Sequence, residues 1–116
     1  MRDHRKLRAF QLADGLVIEI YKATRSFPRE EQFGITSQIR RAAISVAVNF
    51  VEGCAREGEK EYRHFLNIAF GSLRETGYYL DLAIRLRFLP EDTGRELVAL
   101  QTETAKTLSG LMRALR

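Results

Sequence analysis

Apolar residues recur at steps of three and four along nearly the whole chain, and the recurrence breaks at Pro28, at the pair Gly53 and Gly58, and at Pro90. That period belongs to amphipathic helices, in which every third or fourth residue falls on one side. Proline lacks a backbone donor and restricts the residue before it, so each one separates helices here. The spacing predicts helices over about 7–26, 35–56, 59–88 and 92–115, with no strand-like alternation between them. Short connections set successive helices side by side in opposite directions. The expected fold class is therefore all-α, an antiparallel up-down four-helix bundle. With 116 residues, one domain spans 1–116, and there is no room for a second.

The first segment aligns Phe10, Ala13, Val17, Ile20, Thr24 and Phe27, with Leu12 and Leu16 widening the stripe. The fourth aligns Leu97, Leu100, Thr104, Leu108, Leu111 and Leu115, and Glu91 and Asp92 open it with the negative charge that a helix N-terminus favours. The middle helices carry more than a core face. Ile35, Ile39, Ala42, Val46, Phe50 and Gly53 share one side of the second, while Ile44, Val48 and Val51 gather roughly opposite. The third repeats the arrangement, with Tyr62, Phe65, Ala69, Leu73, Thr76, Leu80 and Ala83 facing inward and Ile68, Tyr79, Leu82 and Leu86 on another side. A helix that is apolar on two sides must bury both. A chain this short cannot cover them alone, so Ile44, Val48, Val51, Ile68, Tyr79, Leu82 and Leu86 are the expected contact surface of a homo-oligomer.

Two polar stripes run between these sides. Gln38, Arg41, Ser45, Asn49 and Glu52 form one on the second helix, read as a hydrogen-bonded network at a helix or subunit contact in which Arg41 and Glu52 meet partners from the third helix or another chain. On the third helix Lys60, Arg63, Arg74 and Arg85 align with Tyr78, a basic stripe that includes an aromatic ring. Gly71, Ser72 and Gly77 on that helix suit close approach of a neighbour.

The overall charge is +4. Arg2, Arg5, Lys6 and Arg8 against Asp3 give the first eight residues a net +3, so the remaining chain retains only +1. The basic arm over about 1–8 and the third-helix stripe are therefore where a polyanion such as RNA would be held. Of the basic residues 15 are arginine and 4 lysine, a balance suited to bidentate phosphate contact.

Catalytic and metal chemistry find little support. Glu61 and His64 have a ligand-like spacing on one helix, but a di-metal carboxylate site needs two such pairs with further glutamates, and the only other histidine is His4 in the arm. Cys54, the single cysteine, has no histidine at a suggestive position. No phosphate-binding glycine loop is present, so no catalytic residue, metal or cofactor is expected. One cysteine permits no intrachain disulfide, residues 1–8 lack the apolar core of a signal peptide, and charged residues interrupt every apolar stretch. A cytoplasmic protein that neither enters nor crosses a membrane is expected.

The residues that carry a resemblance are Ser26-Phe27-Pro28, Phe33-Gly34, Ser37-Gln38-Ile39-Arg40-Arg41-Ala42, Asn49, Glu52-Gly53, Phe65-Leu66-Asn67-Ile68-Ala69 and Gly71-Ser72-Leu73. Together they resemble the four-helix-bundle family first noticed as reading frames in intervening sequences of bacterial 23S rRNA genes. Ala47 stands where that family usually has proline, and Thr76-Gly77-Tyr78-Tyr79 replaces a more usual Leu-Glu-Thr-Gln-like stretch. The resemblance implies a left-handed bundle assembling as a cyclic homopentamer, without established enzymatic activity. Accessory proteins of diversity-generating retroelements are similar in architecture, and for them the resemblance implies action beside a reverse transcriptase and its RNA. The leading functional expectation is a structural, RNA-associated protein, and the alternative is a protein-interaction or scaffold module whose partner the sequence does not name.

Overall fold

A computed structural model describes residues 2–115 as four helices around one core: α1 (Arg8–Thr24), α2 (Ile35–Cys54), α3 (Glu59–Arg85) and α4 (Glu91–Ala114). Among the described residues there is no strand. Each boundary has a local cause. Pro28 and Pro90 lie in the connections, and Pro90 directly precedes α4. Glu59 and Glu61 open α3, and Glu91 and Asp92 open α4, each complementing the positive end of the helix dipole.

The end of α3 is built differently. The Phe88 N–H donates to the Ala83 carbonyl at 2.9 Å and the Arg87 N–H to the Ile84 carbonyl at 3.0 Å, with Arg87 at φ 62°. This is the Schellman closure, made here without the glycine that usually occupies the left-handed position.

The four inward stripes meet in a core containing Leu16, Ile20, Ile39, Val46, Phe50, Leu66, Leu73, Leu80 and Leu108, all essentially fully buried. Thr24, Thr76 and Thr104 lie within it because each hydroxyl returns to its own helix, donating to the carbonyls of Ile20, Ser72 and Leu100 at 2.7–2.8 Å. A threonine satisfied in this way packs as a small β-branched residue. One expectation needs correcting: on α3 it is Leu66 that is fully buried, while Phe65 is only half-buried.

Pairs of contacts set the helices' register. Gly53 near the end of α2 abuts Tyr62 and Phe65 near the start of α3, and Ser45 further back meets Ser72 further on. Between α3 and α4, Arg63 reaches Leu115, Leu73 faces Gln101, and Ile84 packs on Gly94. Phe27 and Phe88 close one end of the core, with ring centroids 5.7 Å apart. The result is an elongated body of 43 × 24 × 19 Å. Among the described residues no helix is long and apolar enough to cross a membrane.

Candidate nucleic-acid interface

The N-terminal residues do not form a free arm. His4–Lys6 make a 3-10 turn, held by Asp3, whose carboxylate accepts from the Arg5 backbone and side chain at 3.0–3.2 Å. Those bonds hold the Asp3 carboxyl below its usual pKa. The Arg2 N–H donates to the Cys54 carbonyl, and its guanidinium lies 3.8 Å from the centre of the Tyr62 ring. Arg8 belongs to α1 and approaches Glu103 of α4 at 4.0 Å. Arg2 and Arg5 are thus engaged within the fold, and Lys6 is exposed without an ion-pair partner among the described residues.

The stripe expected on α3 also divides. Arg63 donates to the Leu115 carbonyl at 2.9 Å, and Arg85 pairs with Asp81 at 3.0 Å. Lys60 and Arg74 are exposed, and neither is in an ion pair among the described residues. Arg74 is the member that forms a site. It overlooks a trough of about 770 Å³ between α3 and α4, together with Tyr78 on its own helix and Lys106 and Arg113 on the facing one. Gly77, Ala105 and Ser109 keep that trough open because their side chains are small. Among the described residues no carboxylate lines it. Sequence periodicity missed Lys106 and Arg113, since the order of residues along α4 does not say which of its sides turns toward α3.

On the other flank of α3, where it adjoins α2, lies the second polar stripe. Ser45 and Ser72 hydroxyls are 2.8 Å apart, and the Asn49 amide donates to the Ser45 carbonyl at 2.8 Å and to its hydroxyl at 3.2 Å. Glu52 pairs with Arg56 of its own helix at 3.4 Å, not with a residue of α3. Gln38 and Arg41 line a shallow cleft that Glu75 of α3 completes. Ile44, Val48 and Val51 of α2, Ile68 of α3 and Leu86 just past its end are between 37% and 50% exposed. Tyr79 and Leu82, expected to point outward with them, are half-buried and pack against the core; the Tyr79 hydroxyl also donates to Glu75 at 3.3 Å.

Glu61 and His64 are exposed, with the His64 imidazole edge-on to Phe65. Cys54 is buried, and burial pushes its thiol up from its usual pKa, which keeps it protonated and poorly nucleophilic. Among the described residues no three metal-ligating side chains gather.

The fold is similar to a crystal structure from Bacteroides thetaiotaomicron, described as a protein with unknown function from the S23 ribosomal protein family, with a TM-score of 0.83 at 23% identity over 90% of this chain and 95% of that one. At this identity the likeness speaks to the fold alone. No match is found among curated proteins. The model of the 23S rRNA-intervening sequence protein family, however, matches residues 5–110. That span contains α1, α2 and α3 whole, the second polar stripe and most of the trough. The resemblance carried by the Ser37–Ala42 run and by Asn49 and Glu52-Gly53 is therefore one of descent: the chain belongs to the 23S rRNA-intervening sequence protein family.

Proposed function

We propose that this protein is a non-catalytic structural component that associates with RNA. Its antiparallel up-down bundle closes into a cyclic homo-oligomer in the cytoplasm through the outer side of α2 and α3, and five copies is the number that the family resemblance implies. The observation that carries the reading is the division of surfaces on α3. Ile68 and Leu86 are exposed on one flank of α3, and Arg74 and Tyr78 on the flank that adjoins α4, roughly a third of a helical turn apart. Copies that meet through the first flank leave the second one facing outward. Each closed ring then repeats the same basic surface, and repetition strengthens a weak phosphate contact without any new residue.

The test is a titration of a labelled structured RNA at two salt concentrations. Binding at low salt that weakens steeply as salt rises is the expected result, because phosphate contacts release counterions. Absence of binding at low salt overturns the reading and leaves the protein-scaffold alternative.

A further inference from the structure

We infer that the trough between α3 and α4 is a seat for single-stranded nucleic acid, in which Arg74, Lys106 and Arg113 hold a backbone phosphate and the Tyr78 ring receives an unpaired base. This deepens the proposed association with RNA and rests on it. The basic residues elsewhere on the surface are mostly committed: Arg5 to Asp3, Arg56 to Glu52, Arg85 to Asp81, Arg95 to Glu91. Arg74, Lys106 and Arg113 have no such partner among the described residues, yet they border one space from two helices. Three like charges around a trough without a carboxylate repel one another until an anion enters.

The remaining lining narrows the class of anion. Tyr78 is 56% exposed, and its ring meets that of Tyr79 edge-on at 5.8 Å, which steadies it while leaving an aromatic surface in solvent. The Gln101 amide is fixed by the bond from its Nε2 to the Leu73 carbonyl at 3.0 Å, which leaves its Oε1 as an acceptor, and the Ser109 hydroxyl lines the same trough about two turns further along α4. Phosphate-binding cations, an aromatic platform and a fixed amide are what a nucleotide with an unpaired base requires. A duplex satisfies the cations but keeps its bases stacked on one another. An open trough suits a strand that continues at both ends, where a free mononucleotide offers one phosphate group only.

The experiment measures anisotropy of a labelled single-stranded RNA oligomer, a blunt duplex of the same sequence, and adenosine monophosphate as competitor. The strand is expected to bind about tenfold more tightly than the duplex, with the mononucleotide competing only weakly. Lys106→Glu/Arg113→Glu lowers strand affinity at least tenfold and flattens the salt dependence by roughly 0.7 in slope for each phosphate no longer neutralised. Tyr78→Ala lowers it about tenfold with the slope unchanged, and Tyr78→Phe restores it, since stacking needs the ring and not the hydroxyl. Arg95→Glu, half that charge change and elsewhere on α4, costs less than threefold.

Circular dichroism and a thermal melt establish that each variant is folded. Equal losses in the trough variant and Arg95→Glu, tighter binding of duplex or mononucleotide than of strand, or indifference to Tyr78→Ala each overturn the trough while leaving the wider RNA reading standing. Failure of the unaltered protein to bind any RNA at low salt removes both.

Discussion

The Arg63 Nη1 donates to the main-chain carbonyl of Leu115 at 2.9 Å, tying the beginning of α3 to the end of α4 across 52 residues of sequence. A helix C-terminus has carbonyls without intrahelical partners and a partial negative charge, and a guanidinium supplies both a donor and the opposite sign. Arg63 therefore acts as a tertiary cap. Arg63→Ala is expected to cost about 1 kcal/mol, read from the urea midpoint, and to raise amide exchange in the last turn of α4. Arg63→Lys keeps the charge and recovers part of that loss. If Arg63 served only a nucleic acid, neither variant would move the midpoint.

Gly53 and Gly15 make opposite predictions from one substitution. A Cβ at Gly53 lies 3.0 Å from the Phe65 Cβ and 3.4 Å from the Tyr62 ring, where the end of α2 meets the start of α3. The Phe65 Cβ is fixed to its helix and cannot swing away, so Gly53→Ala spreads the pair at a cost of about 1–2 kcal/mol. At Gly15, inside α1, an added Cβ meets nothing within 4 Å. Gly15→Ala is expected to stabilise by about 0.5–1 kcal/mol through helix propensity and a less disordered unfolded chain. Paired thermal melts of the two variants give shifts of opposite sign.

Much of this fold is legible in the sequence because it depends on period and punctuation. Pro28 and Pro90 mark two of the connections, and the apolar steps of α2 select the buried Ile39, Val46 and Phe50. The choice between Phe65 and Leu66 is not legible, since both are a step of three or four from Tyr62 and Ala69. It is made by Gly53, whose bare backbone admits Phe65 where α2 meets α3, and Arg56 covers its ring at 4.9 Å.

The candidate site is less legible still. Arg63 and Arg85 share a stripe with Arg74, but the end of α4 takes the first and Asp81 takes the second. Lys106 and Arg113 become partners of Arg74 only when α4 docks with Ala105 and Ser109 toward Gly77, a relation between two helices that neither one's period encodes. The left-handed Arg87 is hidden for a similar reason, because no glycine announces it.

Cys54 and Tyr62 tie stability to alkaline pH. Burial is the largest cause raising both groups, Cys54 from 9.0 and Tyr62 from 10.0, and the Arg2 charge beside them acts in the other direction. The unfolded thiol releases its proton near its ordinary value while the folded one retains it. Their contribution to stability is therefore full below about pH 9 and is lost as pH rises through the raised folded values. Urea midpoints should fall as pH rises past about 9, and Cys54→Ala should reduce the steepness of that fall. The same burial predicts that a disulfide reagent modifies the native thiol at least tenfold more slowly than the urea-unfolded one at pH 8. Equal rates would place Cys54 at the surface.

Val48, 47% exposed, stands with Ile44 and Val51 on the outer side of α2, and Ile68 is 39% exposed on α3. Scattered apolar residues on a surface need no explanation, but exposed apolar rows on two adjacent helices have the composition of an interface. A carboxylate at its centre would have to be buried in an assembly without a counter-charge, a cost of several kcal/mol per interface, yet it remains hydrated and nearly free of cost in a single chain. Val48→Glu should therefore abolish self-association in multi-angle light scattering at micromolar concentration while leaving the far-ultraviolet dichroism of four helices intact. Ala99→Glu, which also places a carboxylate at an apolar position, one exposed on α4, serves as the control and should leave the mass of the assembly unaltered. Should Val48→Glu keep the oligomer mass of the unaltered protein, or should the unaltered protein weigh a single chain, the outer side of α2 and α3 is not where copies meet.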